Sequence, residues 1–162
     1  MYQLAQVNIA RMLAPLDDPI MAGFVAKLDE INALADSHPG FVWRLQSAEG
    51  NATSIRAYED ESILLNMSVW TSLERYADYV YKTAHREVMK QRRQWFEKFD
   101  GLYTAIWWVP EGYIPTVIEA RERLEYLRAH GESSFAFTLK KPFPPADLIA
   151  PDIAPILDEC PA

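Results

Sequence analysis

From Tyr2 to Ile9, the apolar residues Leu4, Ala5, Val7 and Ile9 interleave with Gln3, Gln6 and Asn8, a near period-two pattern that predicts a first strand. Asp18-Pro19 then reads as a helix N-cap followed by proline at the first helical position. Phe24, Leu28, Ile31 and Ala35 recur at helical spacing until His38-Pro39-Gly40 stops the helix. Phe41, Trp43 and Leu45 alternate with Val42, Arg44 and Gln46, predicting a second strand almost without a loop. After the Glu49-Gly50-Asn51 turn, Ser54 to Tyr58 reads as a short edge strand. Ile63 to Trp70 is a longer one, with Ile63, Leu65, Met67 and Val69 on one face and Leu64, Asn66, Ser68 and Trp70 on the other. Thr71 and Glu74 fit a capping box. The helix they open has Leu73, Tyr76, Ala77 and Val80 as its stripe, which resumes as Ala84, Val88, Trp95 and Phe99 after a break near Thr83. Asp100-Gly101 ends it, and Leu102 to Val109 is a further strand with Trp107 and Trp108 on opposite faces.

The order β-α-β-β-α-β predicts an α+β fold with a ferredoxin-like core, one antiparallel sheet covered on one face by two helices. Thr116 and Glu119 open a third helix that Gly131 closes, and Phe135 to Leu139 reads as one more short strand. Residues 1–140 form one domain in this reading. Residues 141–162, with six of the chain's 11 prolines, form an extended tail. The strands also share a mixed face: Gln6 and Asn8, Arg44 and Gln46, Asn66, Ser68 and Trp70, then Thr104, Ile106 and Trp108. It is too apolar for a wet surface and too polar for a dry core, so we expect a lined cavity there, closed by the second subunit of a homodimer. The alternative is a monomer whose third helix and tail cover that face.

The chain has 162 residues, 49% of them hydrophobic and 24% charged, in the range of a single globular domain. A net charge of −7 opposes general attraction to phosphate backbones, so nucleic acid is not an expected partner. The N-terminal residues lack the pattern of a signal peptide, and no apolar run reaches the ~20 residues that span a bilayer, so a cytoplasmic protein without membrane contact is expected. The lone cysteine, Cys160, allows no intrachain disulfide, and Asp158 and Glu159 beside it disfavour a reactive thiolate.

The segments Leu4-Ala5-Gln6-Val7-Asn8-Ile9-Ala10-Arg11, Pro39-Gly40-Phe41-Val42-Trp43-Arg44-Leu45 and Trp107-Trp108-Val109-Pro110-Glu111-Gly112 carry a resemblance, as does His85-Arg86-Glu87-Val88-Met89-Lys90-Gln91-Arg92-Arg93-Gln94-Trp95-Phe96. Over residues 2–140 the chain resembles an uncharacterised bacterial family of the dimeric α+β barrel superfamily, whose members are similar to antibiotic-biosynthesis monooxygenases. The resemblance implies the fold and the dimer. The superfamily also includes haem-binding and stress-responsive members, with sites in the cavity between sheet and helices, so fold alone does not choose a reaction. His85, Met89 and Trp95-Phe96 are further similar to a helix of haem-dependent spheroidene monooxygenases.

Among the histidines, His38 and His130 stand at helix C-termini, where capping explains them. His85 lies inside the second helical stretch, followed at helical intervals by Met89, Arg92 or Arg93, and Phe96. A neutral imidazole can act as a base or ligate haem iron, and a guanidinium can hold an oxyanion or propionate. The competing reading makes His85 a packing residue beside a solvated basic face. The candidate catalytic residues are therefore His85, Arg92 and Arg93, and the candidate ligand-binding residues are Trp43, Arg44, Asn66, Met89, Phe96, Trp107 and Trp108. Arg44 interrupts an apolar strand and needs a carboxylate partner, with Glu111 or the Glu59 to Glu61 stretch as candidates, an anionic ligand or a route to water. No resident metal is expected, and haem on His85 is the candidate cofactor. No phosphate loop, H-E-x-x-H, cysteine pair or G-x-S-x-G elbow is present. The expected function is a monooxygenase-like activity on a small aromatic or isoprenoid compound, and the alternative is a non-catalytic module that binds a hydrophobic carboxylate or haem.

Overall fold

The computed structural model describes residues 1–145. Four strands, β1 (Tyr2–Arg11), β2 (Phe41–Arg44), β3 (Ile63–Trp70) and β4 (Thr104–Pro110), form one sheet in the order β2-β3-β1-β4. Every pairing is antiparallel, with Leu4 facing both Trp70 and Trp108. With α1 (Ala22–Asp36) between β1 and β2, and α2 (Leu73–Lys82) and α3 (His85–Gln91) between β3 and β4, this is the ferredoxin-like arrangement. A fourth helix, α4 (Val117–His130), follows. Among the described residues, no helix is long and apolar enough to cross a membrane.

Local chemistry sets most boundaries. Asp18 accepts from the Ile20 amide and caps a single 3-10 turn, Pro19–Met21, that leads into α1. Thr83 is extended, and its hydroxyl donates to the Tyr79 carbonyl while accepting from the His85 amide, so the break expected there divides α2 from α3. The α2 cap falls one residue later than the capping box predicts. Ser72, not Thr71, accepts from the Arg75 amide, and the Thr71 amide donates to the Gly40 carbonyl. Thr116 caps α4 as expected, whereas the Glu119 carboxylate accepts from the Trp107 indole and the Tyr113 hydroxyl.

Two expected strands are absent. Ser54 to Tyr58 forms turns: the Asn51 side chain accepts from Thr53, and the segment docks on α4 through Tyr58 to Glu125 and Arg121 to the Ala57 carbonyl. Phe135 to Leu139 supplies only isolated bridges, Phe137 with Ile106 and Thr138 with Lys141. The expected tail from Ala146 onward, with Cys160, lies outside the described residues.

The sheet faces are covered in the opposite sense to the sequence expectation. Val7, Leu65, Met67, Val69 and Trp107 form a wholly apolar face, buried under Ala120, Leu124 and Leu127 of α4. These three positions recur at i, i+4 and i+7, the spacing that lays one helix stripe on a sheet. The mixed face lies beneath the chain's own α1, α2 and α3, where Ala35, Tyr76 and Tyr79 pack on Leu4, Trp70 and Ile106. Helices of the same chain therefore cover this face in part. Burying Gln6 and Ser68 on that face is tolerable because their polar atoms are paired with one another.

Candidate functional site

Between the mixed face and helices α1 to α3 lies a cavity of about 1030 Å³. Its presence explains why Phe24, Leu28 and Ile31, the expected stripe of α1, are only half-buried: they face the cavity instead of packed side chains. The far end is closed by Trp95 and Phe96, with Phe24 edge-on to Phe96 at 5.0 Å between ring centroids.

The floor is a polar ladder across β1 and β3. Gln6 Nε2 donates to Asn66 Oδ1 at 3.0 Å and to Ser68 Oγ at 2.7 Å, Asn8 Nδ2 donates to Gln6 Oε1 at 3.2 Å, and the Trp70 indole donates to Ser68 Oγ at 2.8 Å. Antiparallel register creates it, since Gln6 faces Ser68 and Asn8 faces Asn66 directly. Ser68 is 5% exposed, whereas Asn66 is exposed and lines the cavity.

Aromatic contacts lead from this floor to the histidine. The Tyr79 ring stacks on Trp70 at 4.8 Å, and the His85 ring lies 4.8 Å from Tyr79, tilted by 40°. Burial holds the His85 pKa below its ordinary value, with the Val80 carbonyl acting in the opposite direction, so the ring is neutral near pH 7. Its Nδ1 is buried and has no hydrogen-bond partner. Burial also raises the Tyr79 hydroxyl pKa, keeping that group protonated.

Of the residues singled out in the sequence, His85, Arg92, Arg44, Asn66, Met89 and Phe96 line this cavity. Arg93 is exposed and is not among its lining residues. Trp43 packs on the apolar face. Trp107 is fully buried there, and Trp108 donates to the Phe143 carbonyl at 2.7 Å under the segment after α4. The partner of Arg44 is neither Glu111 nor the Glu59 to Glu61 stretch but Asp36 at the end of α1, through Nε at 2.7 Å and Nη2 at 3.2 Å, while Nη1 donates to the Gly50 carbonyl. His38 accepts the Gly40 amide and sits edge-on to Trp70, and His130 packs on Tyr126. Gln6, Ser68, Trp70 and Tyr79 belong to the site although none was a named candidate; the polar alternation of β1 and β3 was the sequence signal for the first three, and Tyr79 on α2 had none.

Among the described residues no cluster suits a metal ion. Haem is a different case, because a neutral imidazole is the donor that its iron requires, and Arg86 and Arg92 on the same lining are suited to its carboxylates. The residues present therefore fit that group.

A ferredoxin-like α+β protein with an amide-floored cavity between sheet and helices is the class that these features define. The model of the family described as a domain of unknown function, DUF3291, matches residues 3–151, and the chain belongs to that family. No curated protein matches the chain. Among solved structures it is similar to SnoaB, a cofactor-independent oxygenase from Streptomyces nogalater, at 12% identity and a TM-score of 0.44, over 69% of this chain and 95% of that one. It is also similar to a protein of unknown function from Nitrosomonas europaea, at 13% identity and a TM-score of 0.43, over 72% and 97%. Likenesses of this depth do not bear on the reaction.

Proposed function

We propose that this chain is a cytoplasmic small-molecule enzyme of monooxygenase-like type, acting on an electron-rich aromatic or isoprenoid compound held between its sheet and helices. The observation that carries this reading is one half-buried, neutral imidazole, His85, on the wall of a cavity whose floor is an amide ladder. The amides of Asn8 and Asn66 would hold the substrate's oxygen substituents, and the aromatic and aliphatic walls its apolar body. The neutral His85 imidazole would take a proton from an acidic hydroxyl or carbon of the substrate. The resulting anion would reduce molecular oxygen directly, two substrate hydrogens and one oxygen atom leaving as water and the other oxygen atom ending as a new carbonyl. The homodimer implied by the resemblance is part of the proposal.

The test is oxygen uptake with a panel of polycyclic hydroxyaromatic compounds. Uptake by the wild type should fall by roughly 10²-fold or more in His85→Ala, the scale of a lost general base. Equal rates in the two proteins would remove His85 from the reaction.

A second reading rests on the same imidazole. In it His85 would hold haem through its iron, Arg86 and Arg92 would hold its carboxylates, and the group would supply iron-centred redox chemistry when bound. A Soret band on reconstitution that is lost in His85→Ala supports it, and the absence of any band excludes it. The binding-module alternative with Arg44 as anchor is weakened, because Asp36 and Gly50 already engage that guanidinium.

A further inference from the structure

Three arginines line the cavity, and they are not equivalent. Arg44 is tied to Asp36. Among the described residues, neither Arg86 nor Arg92 forms an ion pair, although Lys90 between them pairs with Glu87 at 2.9 Å. In a chain with 23 acidic and 16 basic side chains, cations left unmatched beside a cavity are a selective feature.

Arg92 is also the better placed of the two. Its amide donates to the Met89 carbonyl, and its own carbonyl accepts from the amides of Trp95 and Phe96, so its backbone is fixed on both sides. The guanidinium lies 4.2 Å from the centroid of the Tyr103 ring, and Tyr103 lines the same cavity. A guanidinium held over an aromatic face retains N–H donors in a fork suited to a carboxylate or sulfonate. Arg86 is exposed and adds positive potential on the same lining.

We infer that the ligand of this cavity is an anionic amphiphile: a flat or extended apolar body inside, ending in a carboxylate or similar oxyanion held by Arg92. This rests on the proposal that the cavity is the binding site, and it narrows the ligand class. The free carboxylate of an aromatic or isoprenoid acid is recognised, whereas its ester or amide is not.

The test uses two dyes with one body. 1-Anilinonaphthalene-8-sulfonate carries an anion that N-phenyl-1-naphthylamine lacks, and both report binding to an apolar site by fluorescence. The wild type should bind both and favour the sulfonate by ~10-fold or more, the scale of one charge-assisted hydrogen bond. Arg92→Met should abolish that preference while leaving the affinity for N-phenyl-1-naphthylamine unchanged, which also shows that the variant is folded. Arg92→Lys should retain part of the preference, and Arg93→Met all of it. Equal affinities in the wild type, or a preference that survives Arg92→Met or is lost equally in Arg93→Met, would overturn the inference while the cavity reading stands. Failure of both dyes to bind would overturn the cavity reading with it.

Discussion

The ring of His85 lies 4.8 Å from that of Tyr79, which is itself stacked on Trp70, so the one imidazole on the cavity lining is seated against the aromatic cluster that covers the mixed face of the sheet. That seat disfavours its charged form. The unfolded chain takes up the proton near pH 6.5, whereas the folded protein does so only at a lower pH. The contribution of His85 is therefore fully present above pH 6.5 and is lost as pH falls from there toward the folded value. Denaturant unfolding across that range should show stability declining in the wild type, and a smaller decline in His85→Asn.

Ser68 accepts from two donors, the Gln6 amide and the Trp70 indole, inside the protein. Ser68→Ala removes the acceptor and leaves both donors buried. We expect a loss of about 1–3 kcal/mol in unfolding free energy. The affinity for N-phenyl-1-naphthylamine should fall as well, since the floor loses its order.

Asp36→Asn should cost about 1 kcal/mol, because the pair with Arg44 is half open to water at its carboxylate end. A second effect is more informative. Freeing the Arg44 guanidinium on the cavity lining should let it compete with Arg92 for anions, which dye titration of the double variant Asp36→Asn/Arg92→Met would detect as a partial return of the sulfonate preference.

Gly40 joins α1 to β2 where the chain passes close to α2. A Cβ at Gly40 would stand 2.2 Å from the Cβ of Arg75, an atom with no freedom to move aside. Gly40→Ala should therefore destabilise by about 1–3 kcal/mol by forcing the α2 N-terminus outward. Gly50→Ala is a different case, with open space around it but a φ of 85°, and it tests conformational strain without a clash.

The sequence carried the element order, the Thr83 break and the polar alternation that became the cavity floor, because each depends on neighbours a few residues apart. It did not carry which helices cover which face. Strand alternation separates Val7 from Gln6 but is silent on where α4 returns, and it was α4 that took the apolar face. Trp43 shows a second limit. A register shift between Phe41 and Trp43 sets Phe41 opposite Trp70 and Trp43 opposite Val69, so the two rings that simple alternation places together lie on opposite faces. The Arg44 pairing with Asp36 was hidden for a similar reason: the carboxylate comes from the helix end that only the α1 to β2 turn brings near. Trp107 and Trp108 read as cavity rings, whereas each indole N–H is taken by a residue after β4, Glu119 or Phe143.

The most direct measurement is NMR titration of the His85 imidazole, with and without saturating N-phenyl-1-naphthylamine. The account predicts that His85 titrates below 6.5 in the free protein, and that filling the cavity shifts its resonances while those of His130 on α4 stay in place. An imidazole that titrates at the ordinary value and does not respond to bound dye would contradict it.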